Sequence, residues 1–181
     1  MKKYVSLLTI GVICFCTSCN TKTEGGLSAT AQKNVNAMDS VTKSFETKDF
    51  SRLGDFIAAD GVDHAGEKGD IKGLDSMKVE FAKSVSEFDN QQTEIIKQLA
   101  DDDYVMSWER YTATYTKDGM GHKAGDKLDM KVLELAKFKD GKAIEHWSFM
   151  EPADVVKIMS SMQPQMSMPM PADSTKTKKK K

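Results

Sequence analysis

Cysteine is nearly missing from this chain: 181 residues hold three, Cys14, Cys16 and Cys19, all within the first nineteen positions. The remainder therefore has no disulfide to form, no thiolate metal site and no catalytic thiol, and must be stabilised by packing. An excess of charge is lacking as well. With 26 basic and 27 acidic side chains the formal net charge is −1, so no broad basic surface argues for nucleic acid as a partner. Long apolar runs are absent too. The run over 5–15 is shorter than the roughly 20 residues a spanning helix needs. The three histidines, His64, His122 and His146, do not fall in a ligand spacing such as His-x-x-x-His. No metal and no cofactor are expected.

What the first residues do contain is a processing signal. Lys2 and Lys3 give a basic start, the apolar run follows, and Thr17 and Ser18 place small residues before Cys19. This layout resembles a bacterial lipoprotein signal. The resemblance implies that 1–18 is removed, that Cys19 is acylated, and that the protein is held to a membrane of the cell envelope by its lipid. The expected face is the outer membrane, on its periplasmic or surface side. Residues 19–29 are polar and Gly-containing and read as a tether. The segment 30–162 is long enough for one domain with its own core. The segment 163–181 alternates Met with Pro, ends in lysines, has no apolar periodicity and is expected to be disordered.

Periodicity divides the domain in two. Apolar steps of three and four through Val35, Met38, Val41 and Phe45, then Leu53, Phe56 and Ile57, predict two helices with a turn near Thr47-Lys48-Asp49. The stretch 58–73 reads as a brief strand and a loop, and 74–85 returns to helical spacing. The period then shortens to two. Strands are predicted over 93–99, 104–116, 128–138 and 143–150, with Asp140-Gly141 as a hairpin turn and a last helix over 154–162. Helices first and an antiparallel meander after them predict an α+β fold with helices packed on a curved sheet.

Two phrases carry a family resemblance. Phe45-Glu46-Thr47-Lys48-Asp49-Phe50, followed by Leu53 and Asp60-Gly61-Val62-Asp63-His64, resembles the helix, turn and first strand of the nuclear transport factor 2-like superfamily. Phe138-Lys139-Asp140-Gly141-Lys142-Ala143-Ile144-Glu145-His146-Trp147 is similar to the hairpin of its SnoaL-like polyketide cyclase and ketosteroid isomerase branch. The likeness extends over about 35–159. It implies a cone: a curved antiparallel sheet wrapped around N-terminal helices, with a central pocket for a small, largely apolar molecule.

Strand alternation offers candidates for that pocket without saying which face is inward. Met130, Val132 and Glu134 share one face, Ile144, His146 and Ser148 another, and Trp108, Arg110, Thr112 and Thr114 a third. Registration on ketosteroid isomerases puts His64 at the place of their carboxylate base and Glu134 at that of their protonated acid. It also puts His146 in a pocket-facing position. Val41 stands where their helix carries tyrosine, so steroid isomerisation is not expected. His64, Glu134 and His146 are thus the candidates for proton transfer, while Trp108, Arg110, Thr112, Met130 and Phe81 are the candidates for ligand contact. Three functions remain open: a pocket that binds without catalysis, an acid–base enzyme of the cyclase, isomerase or hydrolase type, and an interaction module that forms a homodimer through the outer sheet face.

Overall fold

The computed structural model describes residues 26–119 and 121–162. The signal with Cys19, most of the tether, and the Met- and Lys-rich segment 163–181 lie outside the described residues. Helix α1, Ala29–Thr47, starts where the Ser28 hydroxyl accepts from the Ala31 amide at 2.9 Å. It stops at Lys48, which adopts a left-handed conformation with φ of 57°.

The second helix expected before residue 57 is instead a single 3-10 turn, Leu53–Asp55. Local chemistry explains the difference. The Asp49 carboxylate accepts from the Ser51 amide at 3.0 Å, which offers the backbone a turn in place of helix. The apolar beat at Leu53, Phe56 and Ile57 then runs from this turn directly into strand β1, Ile57–Asp63. A two-residue strand β2, Ile71–Lys72, precedes helix α2, Leu74–Val85. Four long strands follow: β3 Phe88–Ala100, β4 Tyr104–Tyr115, β5 Lys127–Lys139 and β6 Lys142–Met150. Helix α3, Pro152–Met162, ends the domain.

The strands form one six-stranded sheet in the order β2-β1-β6-β5-β4-β3. It is antiparallel except at one junction, where β1 lies parallel to β6 with Asp63 opposite His146. Between β5 and β6, Asp140 and Gly141 both take positive φ, 54° and 79°. That is the geometry of a two-residue turn matching the twist of its strands. At the other end of the meander, the Asp101 carboxylate accepts from the amides of Asp103 and Tyr104 at 2.9 and 2.7 Å. The fully buried Asn34 donates to the Asp102 carbonyl at 2.9 Å, which ties α1 to this turn.

Two apolar clusters join helices to sheet. Val35, Ala37 and Met38 of α1 pack with Val105, Ala136 and Phe138. Phe50, Leu53, Ile57, Met77 and Val85 form the second cluster, against which Phe45 and Phe81 pack. The Phe45 ring lies 5.3 Å from that of Phe50 and 4.9 Å from that of Phe81, centroid to centroid. Leu53 is completely enclosed and Val79 is 67 % exposed. Leu53→Ala should therefore lower the unfolding free energy by about 3 kcal/mol and Val79→Ala by less than about 0.5 kcal/mol, the difference being read by urea denaturation.

Candidate functional site

The inner face of the sheet, α1 and α2 enclose a cavity of about 920 Å³. Most of its wall is apolar, with Val41 and Phe45 from α1, Phe81 from α2, and Met130 and Val132 from β5. Its polar end is built where β1, β5 and β6 meet. There His146 places Nδ1 2.9 Å from Asp63 Oδ1 and Nε2 2.8 Å from Glu134 Oε2. Ser148 donates its hydroxyl to the other Glu134 oxygen at 2.9 Å, and the Ala65 amide donates to Asp63 at 2.9 Å.

With a carboxylate at each nitrogen, the ring is held as imidazolium. Burial alone would lower its pKa, but the hydrogen bonds and charges of Asp63 and Glu134 outweigh that and push it up to about 10. Burial likewise raises Asp63, and the His146 hydrogen bond and charge overcome it, so this carboxylate sits below its ordinary range.

A second carboxylate behaves in the opposite way. Glu109 on β4 is 4 % exposed and lines the cavity. Burial, reinforced by the charges of Glu134 and Asp39, pushes its pKa up to about 7. Its Oε1 is enclosed and has no hydrogen-bond partner among the described residues. Beside it on the same strand, Tyr111 donates its hydroxyl to Gln91 at 2.7 Å, and burial raises that phenol to about 12. The amide nitrogen of Gln91 is also enclosed and has no partner among the described residues.

The structure brings Glu134, His146, Met130 and Phe81 together at the cavity wall. It does not bring His64 there. Adjacent residues on a strand point to opposite faces, and the pairing of β1 with β6 turns Asp63 toward His146. His64 instead stacks on Trp147 with ring centroids 4.9 Å apart and contacts Asp70 at 3.0 Å. The place at the cavity wall expected of His64 is taken by its neighbour Asp63.

Trp108, Arg110 and Thr112 are likewise corrected to the outer face of the sheet. Arg110 forms a two-pronged pair with Asp129 at 2.9 and 2.7 Å, and the Lys131 ammonium lies 5.6 Å from the Trp108 ring centroid. The alternate residues of the same strand, Ser107, Glu109 and Tyr111, face inward. The small apolar residues Val105 and Ala113, which bracket them with the same period, were the available signal. His122, in the loop between β4 and β5, stacks on Tyr115 with ring centroids 3.5 Å apart. Cys19 lies outside the described residues. Among the described residues no group of three or more His, Cys, Asp or Glu side chains is disposed to hold a metal ion.

The sequence profile of the SnoaL-like polyketide cyclases matches residues 35–158. No curated protein sequence matches the chain. Among solved structures, a SnoaL-like polyketide cyclase of Jannaschia sp. CCS1 aligns with a TM-score of 0.65 at 15% identity, over 77% of this chain and 99% of that one. IdmH of Streptomyces antibioticus, also described as a polyketide cyclase, aligns with a TM-score of 0.60 at 18% identity, over 70% and 98% of the two chains. An epoxide hydrolase of M. tuberculosis, described as LEH-like, gives a TM-score of 0.58 at 13% identity, over 72% and 91%. At these identities the likeness is one of fold.

The site makes its own prediction about pH. His146→Ala leaves Asp63 and Glu134 facing each other without a cation, a loss of about 3–5 kcal/mol near neutrality. The raised pKa of His146 means its stabilisation is complete below its ordinary value of 6.5 and is lost as pH rises through about 10. The depressed pKa of Asp63 means its share is complete above its ordinary value of 3.8 and is lost in acid. Denaturation curves of wild type and His146→Ala should therefore differ most between these two ordinary values and converge on either side.

Proposed function

Because the chain belongs to the SnoaL-like polyketide cyclase family, we propose that it is a lipid-anchored cell-envelope protein whose cavity takes up one small, largely apolar molecule. The observation that carries this reading is the division of the cavity wall. An apolar barrel of Val41, Phe45, Phe81, Met130 and Val132 ends in the Asp63–His146–Glu134 cluster. Apolar contact supplies affinity in such a site, and the few polar groups fix orientation. The ion cluster is closed upon itself, so it presents the outer lone pairs of its carboxylates, and the ligand should carry a donor such as a hydroxyl toward them.

A second reading, an enzyme of the cyclase, isomerase or hydrolase type, is favoured by the buried ionisable groups at the end of the cavity. In that reading the chemistry falls to cavity residues, and His64 has no part in it. The outer sheet face supplies a further element of the proposal. Trp108, Leu133 and Phe149 lie side by side across three strands, with Phe149 51 % exposed, and this row suits association with a second copy of the chain. Anchoring rests on Cys19.

Native mass spectrometry of the protein purified from its own cells should show one bound small molecule. Panels of apolar compounds should raise the melting temperature, the more so the higher the ligand concentration relative to its Kd. If no class of apolar compound does so, the binding reading fails. A clickable fatty acid should label the wild-type chain and leave Cys19→Ala unlabelled; equal labelling of both would remove the anchor from the proposal.

A further inference from the structure

Resting on the reading of the cavity as a site for a small, largely apolar molecule, we propose that Glu109 is the residue that exchanges a proton with that molecule. It would take the proton from a weakly acidic C–H or O–H and later return it. The assignment starts from which carboxylates are already committed. Asp63 and Glu109 are the acids that the fold encloses most fully, both 4 % exposed. Asp63 is bonded to His146 and to the Ala65 amide. Glu134 is bonded to His146 and Ser148. Glu109 lines the same cavity, and its Oε1 has no hydrogen-bond partner among the described residues.

An enclosed oxygen without a hydrogen bond is costly unless something else satisfies it. Besides the Ser107 side chain on the same inner face, the occupant of the cavity is the group in a position to do so. The neighbours of Glu109 keep it adjustable. Val132 is its cross-strand partner on β5, and Glu134 lies on the same inner face one alternation further along that strand. Asp39 faces it from α1, where that carboxylate accepts from Gln98 at 3.0 Å. His146 on β6 contributes the only positive charge among these groups, and both of its nitrogens are occupied. Burial by the apolar wall, with the like charges of Glu134 and Asp39, outweighs a hydrogen bond from the Ser107 side chain and the charge of His146, and the titration of Glu109 moves to about 7. A group that changes charge near the working pH is present in both the accepting and the donating form. His146, held charged well above neutrality, is a fixed cation and a poor proton carrier.

A substrate of known chemistry tests the assignment without knowledge of the natural ligand. 5-Nitrobenzisoxazole is small, neutral and apolar and carries one acidic ring C–H. In the expected step the Glu109 carboxylate removes that proton, so the C–H bond breaks as an O–H bond forms on Glu109. The ring N–O bond breaks with its electron pair ending on oxygen. The product is the coloured 2-cyano-4-nitrophenolate, and Glu109 then releases its proton to water. No oxidant, reductant or second substrate enters.

With the full chain, turnover should rise with pH through an apparent pKa of about 7 and then level. Glu109→Gln should lose about a hundredfold or more of that rate, while Glu109→Asp should retain a pH-dependent limb. Binding is measured separately with 3-methyl-5-nitrobenzisoxazole, which lacks the acidic proton, by equilibrium dialysis against wild type and both variants. Binding with no turnover, a flat pH profile, or a rate unchanged in Glu109→Gln overturns the role of Glu109 and leaves the binding pocket intact. Failure of the methyl compound to bind any of the three proteins overturns the pocket reading and this assignment with it.

Discussion

Everything at the polar end of this molecule depends on one imidazolium held between two carboxylates. A charge drawn partly out of water is tolerated only where opposite charge and hydrogen bonds replace the water it has lost. His146 meets that condition with Asp63 on one side and Glu134 on the other. Because these residues belong to different strands, the ion triplet is also a register lock. It holds β1 against β6 at the one parallel junction of an otherwise antiparallel sheet. A slip of a single residue would turn Asp63 outward and bring His64 in, leaving a second imidazole beside His146 where a carboxylate now stands.

The same triplet sets the character of the rest of the cavity. By pairing the one cation that acts on Glu109, it leaves that carboxyl to its negative neighbours and apolar walls. The cavity therefore contains two kinds of ionisable group. Some are pinned in one charge state by mutual pairing, and one is left free to change. Neither kind would behave this way alone, since the fixed groups owe their state to each other and the labile one owes its state to being left out.

Much of this architecture was visible in the amino-acid order. Strand alternation from residue 104 onward, the Asp140-Gly141 turn and the helical spacing of 74–85 stand in the structure close to where periodicity puts them. Local signals sufficed there because each element carries its own pattern. Where they failed, the missing information was non-local. The apolar beat after Asp49 fits a helix and a turn-plus-strand equally well, and the choice is made by packing of Leu53 against α2. The choice between Asp63 and His64, and between Glu109 and its neighbours Trp108 and Arg110, is a choice of sheet face. Alternation could not make it because both faces are partly apolar: Leu133, Leu135 and Phe149 line the outside as Met130 and Val132 line the inside. An outward arginine held by Asp129 looks, in sequence, like an inward one awaiting a ligand.

The parallel pairing of β1 with β6 also has a temporal side. Asp63 and His146 are 83 residues apart, so their contact closes one of the long loops of the domain and is costly to form before the strands between them are in place. A chain that emerges from its N-terminus can build the α1 and Phe45 cluster early, yet Asp63 must wait for β6, the last strand. Until then its cavity is an open sheet edge with apolar contents exposed. The order of synthesis thus makes the polar end of the cavity the last part of the sheet to close.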